Sequence, residues 1–263
     1  MPRFLSYGPR EFLDLLRGMG VGTGDALMVH ASLRPYSGFR GRPAEMIAAL
    51  KDAVGPEGLL AMPSMTYTDS SEAFLKRGAA LDVKRSPSKM GLLSEIFRRG
   101  KGVLRSRHPT HPILAWGQRA EWFVEAHEEQ PVPFGPGTPF AKLLDLNGKV
   151  LCIDASFASI TFTHFLEDRI HASIPFDFYE PEPMVGRVID EHGTHMEVLV
   201  RVISNTARRK RREKHLINTL IREGRMRRAR IGNTRLLLLE CHSMVDCVDD
   251  MRARGESFFD VAG

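Results

Sequence analysis

One pattern limits the fold of this chain more than any other. Over the first 170 residues, short apolar runs alternate with loop and amphipathic helix, four times over. ALMVH (26–30), LLAMPSM (59–65), the run ending near Gly117 and KVLCIDA (149–155) are each too short for a buried helix and read as strands. Between them, PREFLDLLRG (9–18) sets Phe12, Leu13, Leu15 and Leu16 on one side and closes at Gly18 and Gly20. GRPAEMIAALKDAVGPEG opens with Pro43 in a first turn and stops at Gly55-Pro56. Further helices are expected over 90–102, 120–127 and near 138–145, and the 66–88 stretch reads as a long irregular loop. This order predicts an α/β protein: a three-layer α/β/α arrangement with a mixed central sheet.

After residue 175 the pattern changes. MVGRVIDEHGTHMEVLVRVI reads as a β-hairpin around HGTH, a basic helical stretch covers 207–224, and two short strands flank Gly232-Asn233 before a closing helix. The chain is therefore read as one domain over 1–263. Its core is 9–175, and a smaller C-terminal hairpin and helix portion, 176–263, includes the basic segment 201–230. Hydrophobic residues at 43% and charged residues at 26% suit a packed core of that size. No apolar run reaches the length of a signal core or a membrane span. Three cysteines, Cys152, Cys241 and Cys247, form no close pair, so a disulfide framework or zinc site is not expected and a reducing cytoplasm is.

The net charge of +5 is local in origin. Residues 201–230 hold twelve Lys/Arg and two Glu, leaving twenty-five basic against thirty acidic residues elsewhere. ARRKRREKH (207–215) could face nucleic acid or an anionic lipid surface. Without an aromatic residue between 180 and 257, nucleic acid is disfavoured, and a solvated helix face near an anionic cofactor or subunit contact is the preferred reading.

Four constellations could carry chemistry. In TFTHFLEDRIH (161–171), His164 and Glu167 are one helical turn apart and share a face. They read either as a general base with its charge partner or as the polar edge of a packed helix. Their place after a strand and a small-residue loop favours a ligand site, because α/β sheets bind ligands at strand carboxyl ends. HASLRPYSGFRG (30–41) also follows a strand and offers backbone amides with Ser32 and Ser37, though it matches neither a Walker loop nor a dinucleotide fingerprint. RSRHPTHP (105–112) carries two histidines, but Pro109 and Pro112 break any helix that would set them on one face, so ligand contact is preferred to metal. Asp69 and Glu72, in TYTDSSEAF, suit either recognition of an amine or sugar hydroxyl or an ordinary solvated loop.

Taken together and in order, six segments resemble the aminoglycoside 3-N-acetyltransferase family: GDALMVHASLR, AMPSMT, MGLLSEIFRR with GVLRSRHPTHPILAWG, FGPGTPFAKLLDLNGKVLCI, Thr161-x-x-His164-x-x-Glu167, and IGNTRLLLLECHSMVDCV. The resemblance implies a transferase that moves an acetyl group directly from acetyl-CoA to an amine of an aminoglycoside, amino sugar or similar molecule. It implies His164 as base and Glu167 as its partner. Ser32, Leu33 and Arg34 would contact the donor, with oxyanion-stabilising amides near Ser32 and Leu33. Arg105, Ser106 and His108 would lie on the donor side, and Asp69 and Glu72 remain the acceptor-side carboxylates. No metal and no acyl-enzyme on Cys152 are implied, and a homodimer is left open. This chain departs from the family pattern at Pro112, where a hydroxyl is common, at Ile160, where Asn is common, and in the basic 201–230 segment. If that segment lined the cleft it would repel a polycation and favour an amino sugar on a phosphate-bearing carrier. The alternative is a non-catalytic relative that uses 207–230 to bind nucleic acid or a partner protein.

Overall fold

A computed structural model describes residues 6–34 and 36–261. The strands are β1 (Ala26–Ala31), β2 (Leu59–Pro63), β3 (Ala80–Asp82), β4 (Leu104–Arg105), β5 (Ile113–Gly117), β6 (Lys149–Ile153), β7 (Met184–Ile189), β8 (His195–Val200), β9 (Arg227–Ile231) and β10 (Thr234–Glu240). The helices are α1 (Pro9–Gly18), α2 (Pro43–Val54), α3 (Ser71–Lys76), α4 (Leu92–Arg98), α5 (Ala120–Val124), α6 (Pro139–Asp145), α7 (Phe162–Ile170), α8 (Asn205–Lys210), α9 (Glu213–Arg222) and α10 (Cys241–Ala253).

Seven strands form the central sheet in the order β4-β5-β2-β1-β6-β10-β9. β1 pairs in parallel with β2 and β6, and the remaining pairings are antiparallel. The sheet is thus mixed, as the alternation predicts. The C-terminal hairpin joins this sheet through β10 against β6.

Period-two alternation places both faces of the sheet in cores. Ala26, Met28, Leu59, Ala61, Val150 and Cys152 face one apolar cluster, with Phe123, Phe140, Phe162, Leu216 and Met244 from α5, α6, α7, α9 and α10. Leu27, Val29, Leu60, Met62, Leu151 and Ile153 face the other, with Phe12, Met46, Leu50 and Phe97 from α1, α2 and α4. Strands buried on both faces read as unbroken apolar runs, which is why β1, β2 and β6 were visible in sequence.

The 66–88 stretch is more ordered than its composition suggests. It contains α3 and β3, and β3 pairs in parallel with β7 to complete a small sheet, β3-β7-β8. Leu75, Leu81, Val188, Val198 and Val200 give that sheet its own core. The basic stretch is also not one helix. It divides into α8 and α9, with Arg211 extended between them and bridged to Phe259.

Candidate active site

The parallel strands end together, and a cleft of about 590 Å³ opens there. β1 supplies its last residues and Ser32, Leu33 and Arg34; β2 supplies Met62 and Pro63; β6 runs out into Asp154, Ala155 and Ser156. Asp154 turns the chain at positive φ (51°), its carboxylate accepting the Arg235 amide (2.9 Å). Gly91, at the head of α4, closes another wall. Its φ of +109° and the Ala31 carbonyl 3.2 Å from where a Cβ would stand require glycine there. A second cleft of about 360 Å³ shares Arg34 and Asp154–Ser156 and adds Arg228 and Arg235. His30 lines the main cleft, fully buried, its Nε2 without a partner among the described residues; burial pushes the ring down to about 4, so it is neutral.

Thr161 lines the same cleft and begins the turn that leads into α7. His164 stands one turn further on, its amide donating to the Thr161 carbonyl (3.0 Å). Its Nδ1 lies 2.8 Å from Glu167 Oε2, and the Glu167 side chain is only 1% exposed against 22% for His164. A carboxylate only accepts, so Nδ1–H donates to Glu167 and Nε2 keeps the lone pair able to take a proton. The ring packs against Phe134, 4.8 Å away, and approaches His111 at 6.4 Å, but it is not itself among the residues that line the cleft.

A third side chain completes the group. Arg211 donates from Nη2 to Glu167 Oε2 (2.7 Å), and its Nε lies 2.5 Å from Oε1. The same Nη2 is 3.1 Å from His164 Nδ1, an atom whose proton already goes to Glu167. Arg211 was hidden in the sequence as one cation in a run. Its seat beyond the end of α8 is set by the pairing with Phe259, which no local pattern reveals.

The other expected residues fall in different places. Ser32, Leu33 and Arg34 line the cleft, but the Ser32 amide is bonded to the Ile153 carbonyl (2.9 Å). The Leu33 amide meets no acceptor among the described residues. Arg105, Ser106 and His108 are not among the residues lining it. Arg105 is buried and its guanidinium donates to the backbone carbonyls of Ser86 (2.7 Å) and Ser64. Burial without a carboxylate partner pushes it down to about 9. Ser106 bonds His127 Nδ1 (2.9 Å) and takes the Ile113 amide (2.9 Å). His108 accepts the His111 amide on Nδ1 (3.1 Å) and stacks on His127 at 4.6 Å. RSRHPTHP is thus the packed turn of the β4–β5 hairpin, with His111 the member that reaches His164.

Asp69 pairs with Arg77 (2.5 and 3.2 Å) on the exposed surface. Glu72 pairs with Lys76 (2.7 Å) and with Arg208 (3.1 Å), which places it beside α8, three residues before Arg211. The basic segment therefore does reach the site: Arg211 and Arg208 arrive paired with Glu167 and Glu72, while Arg228 lines the second cleft. Elsewhere in the run, Arg212 pairs with Asp260 (2.6 Å) and Lys210 lies over Phe176. Cys152 is buried in β6 with its thiol pushed up to about 12 by burial, which makes it a poor nucleophile. Among the described residues, no group of three His, Cys, Asp or Glu could hold a metal ion, and no helix is long and apolar enough to cross a membrane.

A mixed-sheet α/β fold of this order has counterparts among known structures. The aminoglycoside 3-N-acetyltransferase family model matches residues 28–252, and the chain belongs to that family. Aminoglycoside N(3)-acetyltransferase III of Salmonella sp is 35% identical over 194 residues, 68% of this chain and 66% of that protein. Aminoglycoside N(3)-acetyltransferase VIII of Streptomyces fradiae is 32% identical over 186 residues, 65% of this chain and 64% of that protein. The matched segment thus spans just under two thirds of these relatives' length. The fold is that of AAC-IIIb in its binary complex with CoASH, with a TM-score of 0.79 at 23% identity, covering 98% of this chain and 99% of the other. It is likewise that of AAC-VIa bound to sisomicin, with a TM-score of 0.77 at 24% identity, covering 95% and 98%.

Proposed function

We propose that the chain is an acetyl-CoA-dependent N-acetyltransferase acting on an amine of an aminoglycoside or a related amino sugar, and that His164 is its base. The observation that supports this reading is the Nδ1–Glu167 contact of 2.8 Å, which leaves Nε2 free to accept a proton. Nε2 takes a proton from the acceptor nitrogen as that nitrogen attacks the thioester carbonyl, and Glu167 balances the imidazolium that forms. Leu33 is the proposed oxyanion donor at the end of β1. The donor fits the paired clefts: Ser32, Leu33 and the neutral His30 line the inner part, and Arg34, Arg228 and Arg235 give the outer part the charge that phosphates require. Family relatives named for aminoglycoside acetylation support the same reading, as does a neighbour described with CoASH. The matched charges of Arg208 and Arg211 weaken the objection to a cationic acceptor that the basic run raised. A cytoplasmic setting, where acetyl-CoA is made, belongs to this proposal.

The test is a panel of aminoglycosides and amino sugars incubated with acetyl-CoA and purified protein. Amine-dependent release of free thiol is expected, together with a rise in melting temperature on adding acetyl-CoA alone. Neither a thermal shift nor thiol release with any amine would contradict the proposal. Salt-sensitive nucleic-acid binding in their place would favour a non-catalytic relative.

A further inference from the structure

We infer that Arg211 is a positioning residue for His164, acting through Glu167. The inference rests on His164 being the base. Nothing in the reaction itself calls for an arginine at this point, since the base is His164 and its carboxylate partner is Glu167.

The geometry makes Arg211 part of the same unit. Glu167 is almost wholly enclosed, and a buried carboxylate needs its lone pairs satisfied as well as its charge matched. His164 supplies one N–H to Oε2. Arg211 adds a second donor to that oxygen, Nη2 at 2.7 Å, and sets its charge against the other, with Nε 2.5 Å from Oε1 in an ion pair whose alignment is not that of a hydrogen bond. With one oxygen shared between Arg211 and His164, the imidazole is tied to the carboxylate that Arg211 holds.

The backbone of Arg211 is correspondingly constrained. It stands where α8 ends and α9 has not begun, and the chain is clamped on both sides of it. The Arg212 amide donates to the Phe258 carbonyl (2.6 Å), and the Asp260 amide donates to the Lys210 carbonyl (2.6 Å). Ser204 caps α8 by accepting the Ala207 amide (3.0 Å), and Ala207 is fully buried one turn before Arg211. The break in the basic stretch thus delivers one specific guanidinium to the site while the flanking Lys210 and Arg212 go to other partners.

The test is a double-mutant cycle on acetyl transfer, with Arg211→Met and Glu167→Gln separately and together. Arg211→Met is expected to lower kcat by about tenfold or more while KM for acetyl-CoA stays within about twofold. In the Glu167→Gln background the same change is expected to cost less than about twofold, because the group it acts through is gone. Arg211→Lys, which keeps the charge and loses the fork, should recover part of kcat. If Arg211→Met does not fold, Arg211→Lys with and without Glu167→Gln forms the same cycle. Wild-type kcat in the Arg211 variants, or an equal loss in both backgrounds, would overturn the inference. His164→Ala run alongside separates the two ideas: its inactivity with an additive Arg211 effect removes only the role of Arg211, while its full activity removes the base assignment.

Discussion

At the scale of single residues, the site is defined by what each ionisable group is tied to. Glu167 is the most committed: enclosed, shared between His164 and Arg211, and out of reach of solvent. Replacing it by Gln removes the charge that Arg211 faces. Arg211 is 21% exposed and can partly recover its solvation, so the loss is expected to be about 2 kcal/mol, below the cost of stripping one member from a fully buried pair. Urea unfolding should show a lower midpoint with an unchanged slope, and an unchanged midpoint would contradict the account of the pair. Cys152 makes the opposite point. Its thiol is buried and pushed up to about 12, so the native protein should resist alkylation at Cys152 by iodoacetamide. Cys152→Ala should keep acetyl transfer within about threefold, because no covalent intermediate passes through it. Rapid inactivation by the reagent, with Cys152 labelled, would require a different mechanism.

At the scale of elements, the cleft depends on how the strands end and how α4 begins. Gly91 occupies a backbone region that an L side chain enters at a cost, with a carbonyl close by. Gly91→Ala is expected to destabilise by about 1–3 kcal/mol and, if the cleft holds the donor as proposed, to raise KM for acetyl-CoA. A variant with wild-type stability and KM would show that this wall is not needed. The same scale shows what was legible in the sequence. β1, β2 and β6 carry their signal locally, as apolar runs bounded by turns, and His164 and Glu167 carry theirs as a one-turn spacing. β3 was missed because its partner is far along the chain: Ala80 pairs with Arg187. The break at Arg211 was missed for the same reason, being set by pairing with Phe259. The family resemblance of the RSRHP segment implies a donor-side place for Arg105, Ser106 and His108. Their placement is decided instead by carbonyls and rings across the hairpin, which no local pattern reveals.

At the scale of the whole molecule, several histidines are folded into low-dielectric surroundings as neutral rings. Burial lowers His30 to about 4 and His127 to about 3. Each is easier to protonate in the unfolded chain, where the ordinary value is about 6.5, so their contribution to stability is complete above that pH. It is lost progressively as pH falls toward the folded values, by roughly 1–2 kcal/mol per histidine between pH 6.5 and pH 5. Melting temperatures measured across that range should fall with acid, and a flat profile would contradict the burial of these rings. The fold therefore holds its site in a protein best suited to neutral conditions. The central claim is that this site transfers an acetyl group with His164 as the base, and one comparison tests it most directly. Thiol release from acetyl-CoA in the presence of a productive amine is measured for the wild type and for His164→Ala, with circular dichroism showing both folded. The variant is expected to be slower by about 10²–10⁴-fold. Turnover by folded His164→Ala at the wild-type rate would contradict it.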